Sequence, residues 1–122
     1  MTSGRDEIEL VELAVRLGEV AIVDVRRDHE FDGSLGSDCD PRQGHIPGAM
    51  NLALEEMLAM SEGELRERIG LPDGAEIVAY CHSGSRSAYA TSILRGLGYD
   101  ARNYVGSWHE WSRSEEPIEV GA

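Results

Sequence analysis

Within seven residues, the stretch Cys81-His82-Ser83-Gly84-Ser85-Arg86-Ser87 gathers a nucleophilic atom, a cation and several small polar side chains around one glycine. It follows Glu76–Tyr80, whose apolar run predicts a buried strand, and leads into Ala88–Arg95, which predicts a helix. Successive backbone N–H groups of a small, glycine-centred turn can curl toward one point beside the sulfur and form a concavity that favours an anion. The following helix adds the positive end of its dipole and its unpaired first N–H groups, and Arg86 adds a full charge. Such neighbours lower a thiol pKa from about 8.5 toward neutrality or below, so the segment reads as an activated thiolate nucleophile. The alternative is an inert core cysteine, because free cysteine is among the most buried residue types. His82 to Ser87 weigh against it, since none of them carries an apolar side chain.

The chemistry needs a scaffold, and 122 residues suffice for one domain, 1–122, with a core that requires no disulfide or metal staple. Two cysteines, Cys39 and Cys81, and a start at Met1-Thr2-Ser3-Gly4-Arg5-Asp6-Glu7 without an apolar segment predict a reducing, cytoplasmic location. No run approaches the length of a membrane span. A formal net charge of -12 argues against nucleic acid or an anionic membrane surface as a partner, because long-range repulsion opposes both encounters. In so acidic a chain an anion-attracting loop has to be built locally. No metal site and no cofactor is read from the residues.

Leu10, Leu13, Ala14 and Leu17 fall at helical spacing ahead of Gly18, and Ile8-Glu9-Leu10 just before them could pair as a short edge strand. Val20–Val25 is a nearly continuous β-branched run, the pattern of a strand covered on both faces. Asp24 interrupts it, and Arg26, two residues on, shares its face. A buried carboxylate needs a partner, so the two predict either a structural clamp or a direct part in chemistry. Residues 32–43 form a loop rich in Gly, Ser, Asp and Pro, of the long kind that is functional or disordered. Gly44-His45-Ile46-Pro47-Gly48-Ala49 turns into a brief strand at Ala49-Met50-Asn51. Leu54, Met57 and Leu58 predict a short helix, and Ser61-Glu62-Gly63-Glu64 matches a capping box for another carrying Leu65 and Ile69 inward. Ala90, Ile93, Leu94 and Leu97 make one stripe ending at Gly98, and Arg102–Val105 predicts the last strand. Strands alternating with short helices imply an α/β/α sandwich whose site lies beyond the carboxyl ends of the strands, where Cys81 and Asp24 both fall.

Four segments, taken in order, resemble the rhodanese family of sulfurtransferases, single-domain type, over nearly the whole chain. Ile22-Val23-Asp24-Val25-Arg26 with Glu30-Phe31 is similar to the family's first signature, and Gly44-His45-Ile46-Pro47-Gly48-Ala49 with Asn51 to its continuation. Cys81 to Arg86 resembles the active-site loop, and Gly106-Ser107-Trp108-His109-Glu110-Trp111 the C-terminal signature. The resemblance implies a three-layer fold with a central five-stranded, mainly parallel sheet. It implies a ping-pong reaction in which Cys81 takes a sulfane sulfur from a donor such as thiosulfate or a persulfide, then passes it to a thiol acceptor, a sulfur-relay protein or cyanide. His82, Ser83, Gly84, Ser85, Arg86 and Ser87 would line the substrate site, Arg86 holding the anionic donor, with Asp24 and Arg26 supporting the loop from beneath.

The 32–43 segment is longer than the family's usual connection and brings Cys39, which reads as a bystander flanked by Asp38 and Asp40. His45 reads as a brace for its turn, His82 as a solvated loop residue, and Trp108 and Trp111 as core. Two other functions stay open. A phosphatase or arsenate reductase of the same fold resembles Cys-x5-Arg, whereas four residues, His82 to Ser85, separate Cys81 from Arg86 here. A non-catalytic rhodanese-like binding module would not need the intact Cys81 and Arg86.

Overall fold

In the computed structural model, which describes residues 6–122, the elements follow in the order β1 (Glu7–Ile8), α1 (Leu10–Val15), β2 (Ala21–Asp24), α2 (Asp28–Asp32), β3 (Met50–Asn51), α3 (Leu54–Ala59), α4 (Glu62–Ile69), β4 (Glu76–Tyr80), α5 (Ser85–Gly96), β5 (Asp100–Tyr104) and α6 (Ser107–Trp111). The β-branched runs become strands buried on both faces. They form one parallel five-stranded sheet in the order β1-β5-β4-β2-β3. Parallel neighbours need crossovers, and the helices between the strands supply them.

Side-chain alternation along the strands divides the core in two. Val23, Val25, Ile77 and Cys81 pack with Met57, Leu65, Ile69, Ala90 and Leu94 on the side of α3, α4 and α5. Ile22, Val78 and Tyr80 pack with Leu13, Tyr104, Trp108 and Trp111 on the side of α1 and α6. A fully buried side chain such as Ile77 or Leu94 stabilises the fold by about 1.5–3 kcal/mol. The two layers thereby fix β4, the central strand, from both sides.

Local signals behave as their chemistry dictates. Ser61 caps α4, accepting from the Glu64 N–H at 3.2 Å while its own N–H donates to Glu64 Oε1 at 2.8 Å. Element ends differ from expectation where pairing decides them. β5 starts at Asp100, before Arg102, because it continues the register of β4 from Glu76 opposite Asp100. The helix after the cysteine loop starts at Ser85, before Ala88, so the loop's own small residues build its first turn.

Candidate active site

Cys81 follows the last residue of β4, and the chain turns back on it at once. Its Sγ accepts the Gly84 N–H at 3.1 Å, the Ser87 N–H at 3.4 Å and the Ser87 hydroxyl at 3.3 Å. The curl depends on Gly84, whose φ is 96° and where a Cβ would stand 2.7 Å from the Val105 carbonyl oxygen. Asn103 holds the same turn from β5, donating from Nδ2 to the Gly84 carbonyl at 3.2 Å. Cys81 is fully buried. Burial alone would push its thiol pKa up. The Ser87 hydroxyl and the N–H groups of Ser87, Gly84 and Ser83 outweigh that and hold it below the ordinary thiol value. N–H groups do curl toward the sulfur, and among the influences that lower its pKa the Ser87 hydroxyl is the largest.

The segment after β5 clamps the cysteine from behind. Ser107, buried and with φ 55°, accepts the Cys81 N–H at 3.1 Å through Oγ and donates to the Tyr104 carbonyl at 2.8 Å. The Trp108 N–H donates to the Cys81 carbonyl and the His109 N–H to the His82 carbonyl, each at 2.9 Å. Sequence reading passed over Ser107, although it lies within a quoted signature segment.

Arg86 is not a free cation. Its guanidinium donates to Glu30 at two points, 3.0 and 3.2 Å. Glu30 also accepts the Arg27 N–H at the mouth of α2. Burial would raise the Glu30 pKa, but the bonds from Arg86 and Arg27 hold it below the usual carboxylate range. Any anion drawn to Arg86 therefore competes with a carboxylate already in place.

Asp24 and Arg26 form the predicted pair, with Arg26 Nε 3.0 Å from Asp24 Oδ1 and Nη2 2.8 Å from Oδ2. Both are buried. Arg26 also donates to the Gly44 carbonyl at 2.7 Å and lies over the rings of Tyr80 and Trp108. Asn51 adds donations to the carbonyls of Asp24 and Arg26. Asp24 thus shares the sheet end with Cys81 but not its face: Val23 and Val25 on either side of Asp24 pack with Cys81, while Asp24 turns to Tyr80. Its link to the loop is indirect, through Trp108 and the Cys81 carbonyl, not from directly beneath residues 82–87.

The 32–43 loop is tied down. Arg42 donates to the carbonyls of Trp111, Ser112 and Ser114, and Gln43 Nε2 to that of Ser37. Asp40 has a buried carboxylate that meets His82 Nε2 at 2.9 Å and Arg113 Nη1 at 2.9 Å. His82 is accordingly not a solvated loop residue. His45 does brace its turn, stacking on Phe31 with ring centroids 3.7 Å apart, its Nδ1 2.8 Å from the Phe31 carbonyl. Trp108 and Trp111 are core, fully buried. Cys39 is exposed.

With this geometry in place, the likenesses to known proteins are specific. The family model for the Rhodanese-like domain matches residues 9–114. The sulfur carrier protein TtuD of Thermus thermophilus is 36% identical over 88% of this chain and 43% of its own length. A crystal structure of a probable thiosulfate sulfurtransferase superposes with a TM-score of 0.87 at 43% identity, covering 98% of this chain and 50% of that one. A human single-domain sulfurtransferase gives a TM-score of 0.68 at 30% identity, covering 91% of this chain and 98% of its own. The chain spans about half the length of the curated relatives it matches.

Proposed function

The chain belongs to the Rhodanese-like domain family, and from that membership and the nest around Cys81 we propose that it is a sulfurtransferase working through a Cys81 persulfide. The carrying observation is a thiol held below its ordinary pKa by three hydrogen bonds to Sγ from Gly84 and Ser87. The thiolate attacks the outer sulfur of thiosulfate, a new Cys81 S–S bond forms, and the old S–S bond breaks. Its electron pair leaves with sulfite. The terminal sulfur of the resulting Cys–S–S⁻ carries the negative charge that the loop's N–H groups are placed to hold. A thiolate acceptor or cyanide then attacks that outer sulfur and returns Cys81 to thiolate. No metal or organic cofactor enters these steps.

Arg86 guides the dianionic donor, and Glu30 returns to it when sulfite leaves. Ser107 and Trp108 fix the Cys81 backbone while the sulfur changes partners. The reading is that of a domain whose substrates are small sulfur donors and thiol acceptors, free or carried on a protein. Its relatives' names point the same way, one as a thiosulfate sulfurtransferase and one as a sulfur carrier.

Intact mass spectrometry after incubation with thiosulfate tests it. The expected result is a gain of one sulfur atom, lost on adding cyanide and absent in Cys81→Ser. Labelling that persists in Cys81→Ser, or no labelling of a folded wild-type chain by thiosulfate or a persulfide donor, overturns it.

A further inference from the structure

We propose that Asp40, His82 and His109 form a binding site for a borderline divalent cation of the zinc type, joining the 32–43 loop, the cysteine loop and α6. The proposal stands apart from sulfur transfer. One ligand atom from each residue can be chosen so that all lie within 4.8 Å of one another. The ligand atoms of a tetrahedral zinc at about 2.0–2.1 Å lie roughly 3.3–3.4 Å apart. His82 Nε2 and Asp40 Oδ2, at 2.9 Å, therefore need to separate by only a few tenths of an ångström. His109 has to approach further, and its side chain is exposed on α6.

The backbones beneath these side chains are already fixed. The His109 N–H donates to the His82 carbonyl at 2.9 Å, and the two rings meet edge-on with centroids 5.8 Å apart. Asp40 has a carboxylate that is 1% exposed and aimed at His82. Arg113 takes Oδ1 at 2.9 Å and orients the carboxylate, whose Oδ1 and Oδ2 lie 3.2 and 2.9 Å from His82 Nε2, so a cation would enter between Oδ2 and that nitrogen; Arg113 also donates to the Cys39 carbonyl at 2.7 Å. One carboxylate with two imidazoles gives the site a donor set of N2O. Two nitrogens and one oxygen favour zinc, copper(II) or nickel(II) over magnesium or calcium, which prefer all-oxygen shells. Three protein ligands leave a fourth position to solvent.

The test uses the reduced full chain and zinc itself. Side-chain 15N NMR of the histidines should show ring nitrogens of His82 and His109 shifting at one equivalent, with His29 and His45 unmoved as internal references. Cobalt(II) should give tetrahedral visible bands without sulfur-to-metal charge transfer. Partners outside the ligand shell alone change metal affinity by roughly 10–100-fold, so His109→Ala should weaken zinc binding at least about tenfold. Unshifted His82 and His109 at millimolar zinc, a thiolate charge-transfer band, or wild-type affinity in His109→Ala overturns the site. None of these readouts involves sulfur transfer, so their failure leaves the proposed enzymatic function untouched.

Discussion

The guanidinium of Arg86 is gripped by the carboxylate of Glu30 at two points, Nη1 to Oε1 at 3.0 Å and Nη2 to Oε2 at 3.2 Å. The two residues come from the first turns of α5 and α2, 56 positions apart in the chain. A cation on the cysteine loop is thus balanced before any donor arrives.

Removing either member separates the two effects. Arg86→Ala should raise the KM for thiosulfate about ten- to hundredfold, the range of a charge-assisted contact of ~1.5–3 kcal/mol. Glu30→Gln should lower that KM severalfold, because the donor no longer competes with a carboxylate. Steady-state kinetics with thiosulfate and cyanide read both. Unchanged KM in both variants would mean that Arg86 does not meet the donor.

Ser87 gives a pH prediction. Burial raises the Cys81 pKa, and the Ser87 hydroxyl is the largest of the influences that lower it. For an acid whose folded pKa is depressed, the charged form stabilises the fold at high pH, and that contribution is lost as pH falls through the folded value. Ser87→Ala should move the thiolate transition upward in pH. The ultraviolet absorbance of the thiolate, followed in a Cys39→Ser background, measures it. A transition at the same pH in both proteins would remove Ser87 from the account.

Asp24→Asn leaves Arg26 without a counter-ion at a position 1% exposed. Breaking one side of a buried ion pair costs about 3–5 kcal/mol, and the retained amide oxygen places this variant at the low end. Urea unfolding should show a loss of ~3 kcal/mol. A variant as stable as wild type yet unable to form the persulfide would point to a direct part for Asp24 in the chemistry.

Cys39 is expected to stay apart from the sulfur chemistry. It is exposed, whereas Cys81 is fully buried, and its carbonyl is pinned by Arg113. A disulfide needs the two Cβ atoms about 3.5–4.5 Å apart, which requires unlatching Asp40 and opening the nest. Mild peroxide followed by non-reducing peptide mapping should give no Cys39–Cys81 link, and Cys39→Ser should keep near-normal transfer. A Cys39–Cys81 peptide as the main product would reverse this view.

Much of the fold and half of the site can be read from residues close together in the chain. The nest is legible because strand, glycine-centred turn and helix follow within a few positions. The Asp24–Arg26 pair is legible because residues two apart on a strand share a face. The capping box at Ser61 is legible for the same local reason. What cannot be read depends on distance: Glu30 with Arg86, Asp40 with His82 across 42 positions, and Ser107 behind Cys81. Side-chain alternation within a strand also fails to say that Asp24 and Cys81 face opposite layers, because that depends on register between β2 and β4. His82 is the clearest case: a polar residue in a polar loop looks solvated until Asp40 arrives from elsewhere.

Because β4 is the central strand, the groups around Cys81 come from separate parts of the chain: Gly84 and Ser87 from the turn and helix that follow it, Asn103 from β5 holding Gly84, and Ser107 after β5. The contacts of Gly84 and Ser87 to Sγ are local, within six residues of Cys81, whereas those made by Asn103 and Ser107 span 19 and 26 positions and need the segment from β5 onward in place. A chain in which β5 has not yet paired therefore holds the turn around Cys81 without the supports from Asn103 and Ser107. The surroundings of one sulfur atom thus depend on the last strand of the chain as well as on the turn beside it.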